Sequence, residues 1–352
     1  MISSISVQDL AECLERVRGD LETLRDGRIL ITGGTGFLGT WLLATLLYAD
    51  DQLKLRIRVV VVCRHPDAFM ARCPDLAGHR AVELIAGDVR YPLPIFGQIT
   101  HVIHAANEVS AQVSRKSPLD HLAVIVDGTR TVLEHAKAAG AERTLLLSSG
   151  SVYGRQPPEI TNLPEEFAGG LDPFNPEAAY HEGKRVAELM TAVYAQRMAL
   201  PGVVVARIFS LIGPWMPQEA QFAAGNFIRD GLLKRPIKVT GDGRTLRSYL
   251  YAGDCVAWLW TLLVRGRHSV AYQVGSPDPI STGDLAGIIA RAFVPTLPVE
   301  VLDRVIHSSS PHCYVPSAER AQREFGLRAW TNLDEAVRRT VVWSQQRLGH
   351  TK

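Results

Sequence analysis

Tyr180 and Lys184 stand four residues apart in a stretch with helical spacing, so on a helix both side chains point the same way. A free tyrosine, with a pKa of about 10, is a poor base at neutral pH. An ammonium group beside it favours the phenolate and would turn Tyr180 into a general acid/base. The run Ser148-Ser149-Gly150-Ser151-Val152-Tyr153-Gly154 directly follows an apolar segment at 143–148. Those hydroxyls then lie at the carboxyl end of a strand, where open α/β sheets bind their ligands. A pair such as Tyr180/Lys184 is common on helix surfaces; the serine run is what gives it chemical meaning.

A second constellation lies near the amino terminus. Thr32-Gly33-Gly34-Thr35-Gly36-Phe37-Leu38-Gly39 joins an apolar strand pattern to an apolar helix pattern. Glycines at this spacing give a tight turn, a close backbone approach to a pyrophosphate and close helix–strand packing. The helix start offers free N–H groups to the anion. Strand, turn and helix in register predict a dinucleotide site formed by Gly33, Thr35, Gly36, Phe37, Leu38 and Gly39. Gly87-Asp88-Val89 after a third strand and His104-Ala105-Ala106 at the end of a fourth fit the same ligand: Asp88 would reach an adenine amino group, and Ala105 and Ala106 would let the cofactor lie close. The second strand ends Val62-Cys63-Arg64-His65-Pro66. An acid there binds the ribose of NAD, whereas an arginine accommodates the extra phosphate of NADP. Arg64 therefore leans the cofactor toward NADP.

These groups need a scaffold, and the hydrophobic pattern supplies one. Arg28–Thr32, 57–63, Val82–Ala86, 101–105, 143–148 and Val203–Ile208 read as buried strands, with helices between them at 37–48, 127–139 and 180–197. This alternation predicts an α/β protein with a doubly wound parallel sheet. Val7, Leu10, Leu14, Val17, Leu21 and Leu24 form one stripe of an amphipathic helix, with Ser6 as its cap. Beyond about residue 210 prolines and glycines punctuate shorter elements. The expected organisation is an N-terminal helix (1–26), a dinucleotide-binding domain that carries the catalytic residues (27–208), and a smaller α+β C-terminal substrate-binding lobe (209–352) interleaved with it.

The 352 residues carry a net charge of +2, which gives no footprint for nucleic acid. Five scattered cysteines show no ligand spacing, so a reduced, cytoplasmic protein without a metal is expected. No secretory leader or membrane-spanning run is evident in the sequence.

Taken together, these motifs resemble the extended short-chain dehydrogenases/reductases of Rossmann type, the NAD-dependent epimerase/dehydratase family acting on nucleotide sugars. The resemblance runs from Arg28 to Trp343. It takes in the glycine turn, Ser149 four residues before Tyr153, Tyr180/Lys184, Ala206-Arg207-Ile208-Phe209 with Gly213-Pro214, Asn226-Phe227-Ile228, Gly241-Asp242-Gly243, Arg247-Ser248-Tyr249 and Asp254. It implies that Tyr180 takes the proton of the sugar 4-hydroxyl, that Ser149 hydrogen-bonds the same oxygen, and that hydride leaves C4 for NAD or NADP. Lys184 would hold the nicotinamide ribose and tune Tyr180. Ser149, Gly150, Ser151, Ser210, Asn226 and Arg247 would line the nucleotide-diphosphate sugar. A homodimer through the helices at 112–139 and 177–197 is likewise implied.

Tyr180-His181-Glu182-Gly183-Lys184-Arg185 looks most like UDP-glucuronate decarboxylases, which carry Ser-Glu where this chain has Gly150-Ser151; 4,6-dehydratases carry Asp-Glu there. Without either carboxylate, a 4-epimerase is the leading expectation, since epimerisation needs only hydride removal and return. Uronate-specific 4-epimerases also resemble this chain in having serine at the Ser151 position. Decarboxylation, dehydration and NADPH-dependent 4-ketoreduction stay as alternatives, with Glu108 or Glu182 as substitute acids; a non-enzymatic cofactor-bound scaffold is the remaining class. Further departures are Ile125 and Ser210, where the family usually has asparagine, and His312-Cys313-Tyr314-Val315-Pro316, where an arginine usually precedes the proline. Trp215 and Met216 would fill space nearby, mainly as core.

Overall fold

The computed structural model describes residues 2–107, 117–218, 222–303 and 312–350. Its centre is a seven-stranded, wholly parallel sheet. In chain order, helix α1 (Val7–Glu22) leads into β1 (Arg28–Thr32), α2 (Phe37–Leu53), β2 (Arg58–Cys63), α3 (Pro66–Arg72) and α4 (Pro74–Ala77). Then come β3 (Val82–Ala86), β4 (His101–His104), α5 (Pro118–Ala138), β5 (Arg143–Ser149), α6 (Ala179–Arg197) and β6 (Val203–Ile208). The C-terminal part adds β7 (Leu211–Ile212), α7 (Ala223–Leu232), β8 (Ile237–Val239), β9 (Leu246–Arg247), β10 (Leu250–Tyr251) and α8 (Ala252–Arg265). It ends with β11 (Val270–Val274), β12 (Ile280–Ser281), α9 (Thr282–Arg291), β13 (Val299–Val301), β14 (Cys313–Tyr314), α10 (Glu319–Phe325) and α11 (Leu333–His350).

Strand order is β11-β6-β5-β4-β1-β2-β3. Alternate residues of each strand feed opposite faces, as the pleat requires. Ile29, Ile31, Val59, Val61 and Ile103 pack with α2 and α8 in the larger core. Leu30, Val60, Val62 and Val102 face Val132, Leu133 and Ala136 of α5 and Tyr194 and Ala195 of α6. The central strands β1, β2, β4 and β5 are buried on both faces, which is why they read as continuous apolar runs, while the edge strand β3 is partly exposed.

Every strand expected from the sequence is present to within a residue at each end. Two features were not foreseen. β11, from the C-terminal half, pairs with β6 and completes the sheet. Helix α5 begins at Pro118 rather than 127, because its first turns carry Leu119, Asp120 and His121 without a clean apolar stripe.

Helix α1 docks on α2 and α8. The Ser6 hydroxyl accepts from the Asp9 N–H at 3.1 Å, as expected of the cap. Arg16 of α1 pairs with the buried Asp254 of α8 at 2.5 Å. Asp254, a member of the motif series, also accepts from the backbone and hydroxyl of Thr331, so in this structure it ties elements together. Trp215 and Trp343 both donate to the Ser4 carbonyl, and Met216 is buried. Among the described residues all five cysteines are free thiols and no helix is long and apolar enough to cross a membrane.

Candidate active site

The chain moves from β1 toward β2 on one side and from β4 toward β5 on the other, so the crevice between the carboxyl ends of β1 and β4 is the topological switch point. The glycine turn fills one wall of it. Gly33 has φ +72°, and a Cβ there would lie 2.6 Å from the backbone of Ala105 and Ala106. Only glycine meets both demands. Ala105 donates its N–H to the Thr32 carbonyl at 3.0 Å, locking the β4 exit onto the turn.

Gly36 caps α2, and no side chain satisfies the helix start. The first helical bond runs from Thr40 N–H to the Gly36 carbonyl, which leaves the N–H groups of Phe37, Leu38 and Gly39 for an external acceptor. A Cβ on Gly36 would meet nothing closer than 3.4 Å, so its outer side is open. Orphan donors, an uncapped seventeen-residue helix and an open glycine face fit a pyrophosphate. Thr35, inside this loop, accepts through its carbonyl from the Arg72 guanidinium.

The remaining residues expected at the cofactor divide. Asp88 holds Arg90 in a two-pronged ion pair at 2.7 Å, and that guanidinium keeps its carboxyl below the usual range. Its carboxylate is thus shared before any adenine arrives. Val89 is buried against Gly128 of α5, where its side chain serves packing, so only its backbone can face a ligand. Arg64 is exposed at the end of β2 and near enough to Asp88 to stabilise that carboxylate.

The catalytic candidates converge where β5 ends. Ser149 closes β5, and its hydroxyl accepts from the Ser151 N–H at 3.1 Å. Tyr180, in the first turn of α6, lies between two imidazoles. His121 of α5 stacks on it at 5.5 Å and His181 meets it edge-on at 5.6 Å. The phenol interacts with the hydroxyls of Ser149 and Ser151 and with Asn107.

Lys184 lies one turn further along α6. Its ammonium is buried and donates to the Leu147 carbonyl at 2.9 Å, and desolvation lowers its pKa to about 8. Burial raises the Tyr180 pKa above the ordinary value, and the nearby polar side chains of Ser149, Asn107 and Ser151 oppose the rise. One proton of the ammonium is thus held on the end of β5.

A second wall comes from the C-terminal part. β14 pairs with β9, placing Tyr314 beside Arg247, whose guanidinium lies 5.2 Å over the Tyr314 ring. Tyr314 also packs on Phe209 with centroids 4.6 Å apart. A Cβ on Gly150 would sit 2.5 Å from Phe209 and 2.6 Å from the Tyr314 hydroxyl. Gly150 is glycine because two aromatic rings occupy the volume where its side chain would project. Ser210 follows β6, half-buried, and its carbonyl accepts from Leu250 N–H. Asn226 is half-buried in the first turn of α7.

Ser149, Gly150, Ser151, Tyr180 and Arg247 are therefore gathered around one centre. Glu182, considered as a substitute acid, pairs with Arg185 at 3.4 Å, and that arginine reaches the Val152 and Gly169 carbonyls. Glu108 lies outside the described residues, as do positions 112–116 of the expected interface. Asn107, Phe209 and Tyr314 were not singled out as site residues from the sequence. Asn107 directly follows Ala105-Ala106 at a strand's carboxyl end, a position that could have marked it. Tyr314 is brought in from 134 positions beyond Tyr180, and no local pattern signals that.

Fold and site together define an enzyme built to hold a dinucleotide beside a half-buried tyrosine. Residues 29–275 match the model of the NAD dependent epimerase/dehydratase family, and the chain belongs to that family. It is 31% identical over 323 residues to UDP-glucuronic acid decarboxylase 1 of Xenopus tropicalis, covering 92% of this chain and 73% of that protein. To UDP-glucuronic acid decarboxylase 2 of Arabidopsis thaliana it is 30% identical, covering 91% and 69%. Among solved structures it resembles the epimerase Mth375 of Methanothermobacter thermautotrophicus, with a TM-score of 0.79 at 22% identity over 96% of this chain and 97% of that one.

Proposed function

We propose that this enzyme oxidises C4 of a UDP-linked hexuronic acid with NAD, and that loss of the carboxyl group follows, as in the decarboxylases it resembles. This places decarboxylation ahead of the 4-epimerisation that the sequence motifs favoured. The observation that carries the reading is the meeting of Ser149, Ser151 and Asn107 on the Tyr180 phenol, beside a glycine cradle at the switch point.

Tyr180 takes the proton from the sugar 4-hydroxyl, and Ser149 hydrogen-bonds the same oxygen. The nicotinamide, when bound, supplies the acceptor and later the donor of the C4 hydride. The product of oxidation is a β-keto acid. When its C5–C6 bond breaks and carbon dioxide leaves, the electron pair is held as an enolate on O4. Tyr180, now protonated, and Ser149 are the donors that stabilise that oxygen. No carboxylate at positions 150 or 151 is needed for this bond to break; C5 then takes a proton from solvent. Lys184 would face the nicotinamide ribose, and Arg247 and Asn226 the diphosphate, which a guanidinium pairs with well.

A second reading, 4-epimerisation, is favoured by Gly150 and Ser151 and by the aromatic wall that fills the place of a side chain at 150. Incubation with UDP-glucuronate, followed by NMR of the nucleotide sugar and by trapping of carbon dioxide, separates the two. Carbon dioxide with a UDP-pentose supports decarboxylation; an isomeric UDP-hexuronate without gas supports epimerisation. Neither product, together with oxidation of added NADPH by a 4-keto sugar, would make it a reductase.

Cofactor choice follows the same logic. A closed redox cycle favours retained NAD, while exposed Arg64 offers a 2′-phosphate partner; the cofactor extracted from purified protein decides. We also propose a homodimer through α5 and α6, supported by the exposed Val186, Leu189 and Val193, which share one face of α6. Sedimentation that found only monomer would overturn it.

A further inference from the structure

Arg72 closes α3, the short helix that follows the end of β2, and it is exposed. Its guanidinium reaches back to the phosphate-binding turn and donates to the Thr35 carbonyl. Two rings support it, Trp215 at 5.1 Å and Phe69 at 5.5 Å. Among the described residues no carboxylate pairs with Arg72. The Thr35 carbonyl takes one corner of the fork, and the other donors have no acid to meet. Trp215 holds an unusual backbone, with φ +70°, a region that bulky side chains rarely adopt. Its ring is pinned all the same. The indole N–H donates to the Ser4 carbonyl at 2.9 Å, Trp343 of α11 packs on it at 5.0 Å, and the Arg347 guanidinium lies 3.7 Å over its centre. Two guanidinium groups therefore share one indole. Burial and the Arg72 charge hold the Arg347 pKa below its ordinary value. Asp75, an acid close enough to act on Arg347, gives its oxygens to Ser3 and Ser4.

We propose that Arg72 recognises the cofactor: its guanidinium pairs with a phosphate of the dinucleotide, and the Trp215 ring is the platform that presents it. The assignment rests on the dinucleotide reading of the glycine turn and not on the fate of the sugar. Positive charge gathered beside a turn with orphan N–H groups is suited to an anion. Two phosphates share that chemistry. The pyrophosphate, common to NAD and NADP, is the partner of the N–H groups at the start of α2. The 2′-phosphate, present in NADP alone, belongs at the end of β2, where Arg64 stands and from which α3 leads to Arg72. A planar fork pairs with either. The platform comes from distant parts of the chain. Ser4 holds the indole from the N-terminal side, and Trp343 and Arg347 hold it from α11, so both ends of the protein bear on the turn through one arginine.

Arg72→Gln removes the charge at an exposed position, so the full-length variant should keep the wild-type circular dichroism spectrum. Calorimetric titration of the cofactor-stripped proteins with NAD and with NADP tests the contact. Binding of at least one of them is expected to weaken about tenfold. A loss with NADP alone assigns the contact to the 2′-phosphate; the same loss with both assigns it to the pyrophosphate. Raising the salt from about 0.05 to about 0.5 M should shrink the gap between wild type and variant to about threefold or less, because an exposed ion pair is screened. A gap that salt leaves unchanged would mean that Arg72 only braces the turn, and unchanged affinity for both dinucleotides would mean that it touches neither; each overturns the proposal. Trp215→Gly relieves the backbone and removes the ring. It is expected to weaken the same dinucleotide about fivefold, but less than about twofold in the Arg72→Gln background, since the two residues act as one unit. Equal losses in both backgrounds would overturn the platform. If wild type binds neither dinucleotide, the reading of the turn falls together with the proposal. A failure to turn over any UDP-uronate would strike only the sugar chemistry and leave these titrations to decide.

Discussion

Replacing Lys184 by methionine should make the ligand-free protein more stable while disabling it. The ammonium is buried against β5, and desolvation depresses its pKa from 10.5 to about 8. Each unit is worth 1.36 kcal/mol, so holding this charge in the folded state at pH 7 costs about 3 kcal/mol. Methionine fills nearly the same volume without a charge. It forfeits the bond to the Leu147 carbonyl, a loss of about 1 kcal/mol. The net gain is about 2 kcal/mol, which for a chain of 352 residues amounts to roughly 3 °C in Tm. The sign follows from linkage. The unfolded chain binds the extra proton between pH 8 and 10.5, so wild-type stability rises with pH across that window. The advantage of Lys184→Met is therefore full below pH 8 and dwindles toward pH 10.5. Thermal melts of cofactor-stripped wild type and variant, at intervals from pH 6.5 to 10, measure it. A variant less stable than wild type at pH 7, or an advantage unchanged at pH 10, would refute the account of Lys184 as a strained, function-driven charge.

Tyr180→Phe should retain cofactor binding and lower turnover of a UDP-uronate by about a thousandfold; full activity would remove the phenol from the mechanism. Gly33→Ala forces a Cβ to within 2.6 Å of the β4 exit at a positive φ, so a loss of more than about 2 kcal/mol in urea unfolding is expected, together with weakened cofactor binding. His101 and His104 are buried in β4, with pKa values lowered to about 4 and about 3 by desolvation. Their folded values lie below the unfolded one near 6.5, so their stability is complete above pH 6.5 and is lost as pH falls toward 4 and below. A urea midpoint that stayed flat from pH 6.5 to 4.5 would contradict this. Arg207 pairs with Glu188 at 2.7 Å and also donates to the Tyr153 hydroxyl. Arg207→Ala should cost roughly 3 kcal/mol by leaving Glu188 half-buried without its partner, and a Glu188→Gln second change should return part of it.

The sheet was legible because its central strands are buried on both faces and each is bounded by residues that stop it. The glycine turn was legible for a related reason. Gly33, Gly36 and Gly39 act within a few residues of one another, so a single stretch of chain contains both the demand and the answer. Ser149, Tyr180 and Lys184 followed from strand-end position and helix spacing, and the structure brings them into one neighbourhood. Which acceptor holds the Lys184 ammonium was not legible, because the carbonyl it meets belongs to Leu147 of the neighbouring strand.

What the tertiary structure alone decided is the second wall of the site. Phe209, Arg247 and Tyr314 come from separate elements that meet only when β14 is laid beside β9. From the sequence, Gly150 marks a missing carboxylate; in the fold it marks a volume already taken by Phe209 and the Tyr314 hydroxyl. Local spacing specifies which residues can do chemistry, because helix and strand geometry act over a few residues. Long-range packing specifies what surrounds them, because desolvation and hydrogen-bond partners are set by atoms more than a hundred positions away.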